Sequence, residues 1–89
     1  MADTPGEDIE AAILRLAGER GAAKSICPSE AARALAGPDE KAWSRLMPAV
    51  RAAAVALAKD GRIVILRKGK PADPDAFKGV YRLALPPEA

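Results

Sequence analysis

Residues 41–67, KAWSRLMPAVRAAAVALAKDGRIVILR, limit the fold more than any other stretch of this chain. Trp43, Leu46, Met47, Val50, Ala54 and Leu57 recur at three- and four-residue steps, so they share one face of a helix. Lys59 falls in the last turn, where a cation suits the helix dipole, and Gly61 stands where a left-handed cap would end the helix. Ile63, Val64, Ile65 and Leu66 then form a short apolar run that reads as a strand. A long amphipathic helix feeding into a strand, with basic residues along both, predicts the centre of a small DNA-binding type of fold.

The rest of the chain extends that frame in both directions. Thr4-Pro5-Gly6-Glu7 has the form of a capping box with proline at the first helical position. The helix it opens carries Ile9, Ala12, Ile13, Leu16 and Ala17 on one face and stops near Arg20, with Gly21 as its cap. A very short strand is expected at Ser25 and Ile26. Cys27-Pro28-Ser29-Glu30 begins a short second helix with Ala31, Ala32 and Leu35 inward, ended by Gly37-Pro38. The third helix is expected over residues 40–60 with a distorted first turn, because Pro48 lacks an amide donor and restrains Met47. Strands follow at residues 62–68 and 80–85. The second alternates Tyr81, Leu83 and Leu85 against Val80, Arg82 and Ala84. Residues 69–79 are too long and too proline-rich for a tight hairpin, so they read as a loop projecting from a two-stranded ribbon. The tail, Pro86-Pro87-Glu88-Ala89, is expected to fray.

That order predicts an α+β winged helix-turn-helix over residues 1–89. Three helices precede a C-terminal two-stranded β-ribbon, the wing. Alanine supplies much of the 49% apolar content, so few large side chains are left to build the core. They are Ile9, Ile13, Leu16, Ile26, Leu35, Trp43, Leu46, Met47, Val50, Leu57, Ile63, Ile65, Tyr81, Leu83 and Leu85. One Trp, one Tyr and one Phe leave little for stacking single-stranded bases. Cys27 is the sole cysteine, which excludes an internal disulfide and fits a reducing cytoplasm. No apolar run approaches the roughly 18 residues of a membrane span.

Chemistry-bearing patterns are scarce. The chain has no histidine, which removes Ser-His and Cys-His nucleophile pairs and imidazole-dependent zinc sites. The glycines near residues 69–79 fit neither a phosphate-binding loop nor a dinucleotide fingerprint. Asp73 and Asp75 around Pro74 read as a turn whose carboxylates accept backbone amides, rather than as a cation site. Cys27 reads as the small residue of a helix N-cap rather than as a reactive thiol. No enzymatic activity, metal or cofactor is therefore expected, and the chain offers little room for a pocket.

Charge gives the positive signal. The net +2 hides four basic against eight acidic residues over positions 1–40, and ten against three over positions 41–82. A segregated basic half is what a polyanionic partner, double-stranded DNA above all, would use. Lys41, Ser44 and Arg45 precede or occupy the first turns of the third helix, the part expected to meet the major groove. Arg51 lies at the flank of the apolar face, within reach of a phosphate or of Trp43, which its alkyl stem would cover. Lys68, Lys70 and Lys78 bracket the wing, where phosphate or minor-groove contacts are expected. Against this, Pro48, Ala49, Ala52, Val55 and Ala56 give the helix an outward face with few hydrogen bonds for base edges. Such a smooth face also suits docking against a protein partner or a second copy of the chain.

The segments ICPSEAARAL, WSRLMPAVRAAAVALAKDGRIVILRKGKPADP and FKGVYRL together resemble the family called domain of unknown function 3253. The resemblance runs from about Ile9 to Leu85. Its most specific parts are Trp43…Leu46-Met47-Pro48…Val50-Arg51 and Lys68-Gly69-Lys70-Pro71…Asp73-Pro74…Lys78-Gly79…Arg82-Leu83. It implies a small bacterial winged-helix protein and brings no catalytic residue, ligand or partner.

Overall fold

The computed structural model describes residues 5–21 and 24–86. Thr4 of the expected capping box and residues 87–89 of the tail lie outside these. Among the described residues the architecture is α+β, four helices with a small antiparallel sheet of four strands. In chain order they are α1 (Pro5–Arg20), β1 (Ser25–Ile26), α2 (Pro28–Ala36), α3 (Glu40–Ser44), α4 (Met47–Lys59), β2 (Val64–Arg67), β3 (Lys70–Pro71) and β4 (Arg82–Ala84).

The helix expected over residues 40–60 is two helices. Asp39 starts α3, its Oδ1 accepting the Lys41 amide at 3.2 Å. Pro48 offers no proton to the carbonyl of Ser44 four residues back, and its ring crowds that carbonyl, so α3 ends at Ser44. The chain turns through Arg45 and Leu46, where the Leu46 amide donates to the Trp43 carbonyl at 3.0 Å. Helix α4 then restarts with Pro48 in its first turn, where a missing donor costs little. At the far end the Arg62 amide donates to Leu57 at 2.9 Å and the Gly61 amide to Ala58 at 3.1 Å. This pair of bonds is a Schellman stop. It releases the chain into Ile63 and β2.

Helix α1 packs across both α2 and α4. The contacts are made by small residues: Ala12, Ala17, Ala31, Ala32, Ala53 and Ala54 are all buried, alongside Ile9, Ile13, Val50 and Leu57. Ile26, Ile65 and Leu83 close this core from the sheet, with Ile63 just before β2. Leu35 departs from expectation. It is 43% exposed, one residue before the end of α2. Leu16, Trp43, Leu46 and Met47 only line the rim of the core, and Leu85 is half-buried. Phe77, unmarked by any periodicity, is buried, with its ring edge-on to Tyr81 at 4.9 Å between centroids.

The strands run in the order β1-β4-β2-β3. Ile26 and Ile65 flank Leu83, and Ser25 and Val64 flank Ala84, which fixes register across three strands. The expected strands at 62–68 and 80–85 are therefore shorter, at Val64–Arg67 and Arg82–Ala84. Ala84 is buried as well as Leu83, so the expected alternation does not hold at that position. A further strand, β3, pairs Arg67 with Lys70 and Leu66 with Pro71 across the two-residue turn Lys68-Gly69. Both turn residues have positive φ, 53° and 81°, the signature of the tight hairpin turn whose twist matches the strands it joins. The ribbon thus carries a tight hairpin before its loop. Pro71 is tolerated because β3 is the sheet edge.

Candidate nucleic-acid interface

Whether a cation is available to a partner depends on what already holds it. Among the described residues, Lys41, Arg45, Lys68, Lys70 and Lys78 are exposed and make no hydrogen bond or ion pair through their side chains, and Ser44 is exposed beside them. Lys24 and Arg62 are free in the same sense. Lys41 lies in α3, Ser44 ends it and Arg45 opens the turn that Pro48 enforces. These three therefore sit on a short separate helix and its turn, rather than on the first turns of the long one. Lys68 and Lys70 stand at the β2–β3 turn, and Lys78 stands in the loop before β4.

Arg51 is different. Its Nη2 donates to the Phe77 carbonyl at 2.7 Å, and its guanidinium lies over the Phe77 ring, 3.9 Å from the centroid. Of the two expected roles, cover for Trp43 is not seen; the side chain makes a structural contact with the loop. Trp43 is faced by the Arg33 guanidinium instead, at 5.3 Å. A guanidinium over an aromatic face also satisfies the ring quadrupole, which favours arginine over lysine at this point.

Arg51 is one of three side chains that hold residues 72–80. Lys59, at the end of α4, pairs with Asp75 at 2.6 Å. Arg67, at the end of β2, donates through Nη1 to the Val80 carbonyl at 2.6 Å. Its guanidinium packs on Gly79 so closely that a Cβ there would lie 3.2 Å from Nη1. Asp73 Oδ1 accepts the Asp75 amide at 2.9 Å and the Asp73 carbonyl accepts Ala76 at 3.0 Å, which is the expected turn. Lys78 falls between the anchored residues Phe77 and Val80, so a fixed backbone presents it. Sequence reasoning missed the roles of Arg67 and Lys59, whose partners lie 13 and 16 residues away with no periodicity linking them.

A second set of contacts fixes β1. Arg82 donates to Ser25 Oγ at 2.7 Å and to the Ser25 carbonyl at 3.0 Å. Arg20 reaches the same carbonyl and pairs with Glu30. Glu30 Oε2 accepts the Cys27 amide at 2.9 Å, so Cys27 stands at the N-cap, its Sγ 3.1 Å from Ser29 Oγ. Burial pushes the Tyr81 hydroxyl pKa up, and Cys27 adds to that, while the nearby Arg51 charge pulls the other way.

On the outward side of α4, Pro48, Ala52 and Ala56 are exposed, whereas Ala49 and Val55 pack partly against the core. The smooth face is thus narrower than its sequence suggests. A hollow of about 510 Å³ opens between β2 and the start of β4, and another of about 350 Å³ lies among Cys27, Met47 and Val80. No helix among the described residues is long and apolar enough to cross a membrane.

A family model described as "Protein of unknown function (DUF3253)" matches residues 6–86. No curated protein matches the chain.

Proposed function

The chain belongs to the DUF3253 family, and we propose that it is a winged helix-turn-helix protein that binds double-stranded DNA. In this reading α1, α2 and α4 form the helical part, α3 widens the turn before α4, and the ribbon β2–β3 with residues 72–80 is the wing. The element order supports it, as does the placing of the last strand between the first and the second in the sheet. The observation that carries it is the division among the cations. Six arginines, Arg15, Arg20, Arg33, Arg51, Arg67 and Arg82, are held by internal bonds. Lys41, Arg45, Lys68, Lys70 and Lys78, at the α3–α4 turn and on the wing, are left for phosphates, with Ser44 between them at the groove.

Five phosphate contacts give a slope of about −4.5 in log affinity against log salt, a loss of roughly 500-fold between ~50 and ~200 mM. A labelled mixed-sequence duplex titrated at both salts measures it. Lys70→Ala and Lys78→Ala together should flatten the slope to about −2.7. Absence of binding at the lower salt, or a slope near zero, would sink the proposal.

One observation favours a second reading, in which α4 docks on a protein. Exposed Pro48, Ala52 and Ala56 offer no side-chain hydrogen bond to base edges. Ala52→Glu should then abolish a self-association or partner complex measured by sedimentation. A chain that sediments as a monomer at high concentration and binds DNA excludes it.

A further inference from the structure

In the DNA-binding reading above, α4 is the helix that enters the major groove, so its outward face decides what is read there. Of its 13 residues, Pro48, Arg51, Ala52, Ala56 and Lys59 are exposed. Pro48, Ala52, Ala56 and Lys59 recur at steps of four and three with Arg51 beside them, which puts all five on one face. Pro48, Ala52 and Ala56 carry no side-chain donor or acceptor; at most they meet a thymine methyl. Arg51 donates to the Phe77 carbonyl, and Lys59 pairs with Asp75. Either would have to let go of the 72–80 loop to reach a base. The outward face of α4 thus keeps no uncommitted polar side chain.

The rest of the chain does not make good that lack. Adenine is read by the paired donor and acceptor of Asn or Gln, and the sequence contains neither. Guanine is read best by the fork of an arginine. Six of the eight arginines are held inside the protein. Arg62 lies beyond the C-terminal end of α4, which leaves Arg45 at the α3–α4 turn. Cytosine is read by Asp or Glu. In the basic half these are Asp60 at the far end of α4, Asp73, which accepts the Asp75 amide, and Asp75, which pairs with Lys59. Ser44 can bond to more than one kind of base, so it does not discriminate. The uncommitted lysines are compact charges on flexible stems, suited to phosphates, which every sequence presents alike.

We propose that the protein binds duplex DNA without regard to sequence, as a backbone binder with many overlapping sites. The inference rests on the DNA-binding reading and adds to it the class of target. Affinity comes from phosphate contacts, and the proline and alanines of α4 fill the groove without reading it.

The test is repeated selection by the full chain, at ~50 mM salt, from a pool of duplexes randomised over two helical turns. The unselected pool should bind. After selection the recovered duplexes should share no motif and bind within about fivefold of the starting pool, the smallest preference that one well-read base pair brings. Arg45→Ala should weaken A·T-rich and G·C-rich duplexes by the same factor. A shared motif, a larger gain in affinity, or an Arg45→Ala loss confined to the G·C-rich duplex would overturn the inference while leaving duplex binding in place. Failure of the unselected pool to bind would overturn the DNA-binding reading itself, and this inference with it.

Discussion

Replacing Arg51 by methionine removes the guanidinium that joins α4 to the loop and keeps most of the alkyl stem. Two interactions disappear. The hydrogen bond to the Phe77 carbonyl, 2.7 Å long and donated by a charged group, contributes about 1.5 kcal/mol at the lower end of its class, since the side chain is partly solvated. The guanidinium over the Phe77 ring at 3.9 Å adds about 0.5–1 kcal/mol. The sum is about 2 kcal/mol, which lowers the melting temperature of a chain this size by about 10 °C. Urea unfolding gives the stability change, and amide exchange at residues 76–80 should quicken more than exchange in α1. Because Arg51 is occupied by the protein, the salt slope of DNA binding should stay the same while affinity falls. An unchanged urea midpoint would mean that the guanidinium is solvated. A slope shallower by about 0.9 would mean that Arg51 touches a phosphate. Either result refutes the assignment of Arg51 to the cations that the fold itself holds.

Two more outcomes follow from nearby geometry. Gly79→Ala forces an L-residue to a φ of 84° with its Cβ 3.2 Å from Arg67 Nη1, and should cost about 1–2 kcal/mol in urea unfolding from the backbone alone; a smaller loss would contradict the left-handed conformation at residue 79. Tyr81 has its pKa raised in the fold by burial, so the unfolded chain loses its proton first as pH rises. Its stabilising share is complete below the ordinary value of 10.0 and is lost as pH climbs through the raised folded value. Stability measured from pH 8 to about 11.5 should therefore fall more steeply for the wild type than for Tyr81→Phe, and parallel curves would contradict the assigned burial effect.

Much of the helical frame was legible because helices advertise themselves. Ile9 and Ile13, Val50 and Leu57, and the glycines after α1, α2 and α4 follow spacing and capping rules that act within a few residues. The break at Ser44 was half legible. Proline announces a disturbance, but whether the first helical turn bends or separates depends on what α3 packs against, here α2. Strand β3 was hidden because Lys68 is not a residue expected at positive φ and Pro71 reads as a strand breaker. For the candidate interface, which cations are exposed could be anticipated, but which are occupied could not. Arg51 and Arg67 bond to backbone carbonyls 26 and 13 residues away, and every residue type carries a carbonyl. Phe77 in a proline-rich loop escaped for the same reason, since its burial is imposed by Arg51 and Tyr81 rather than by any local pattern.

The place of β4 governs when the sheet comes into being during synthesis. Ser25 and Val64 are both made before Ala84, yet neither strand pairs with the other; both wait for Ala84, which lies between them. Until that residue emerges, β1 and β2 are two unjoined edges and Ile26 and Ile65 have no shared neighbour. The sheet therefore closes only through β4, and a chain cut before it keeps open strand edges, the kind of surface that cellular quality control removes.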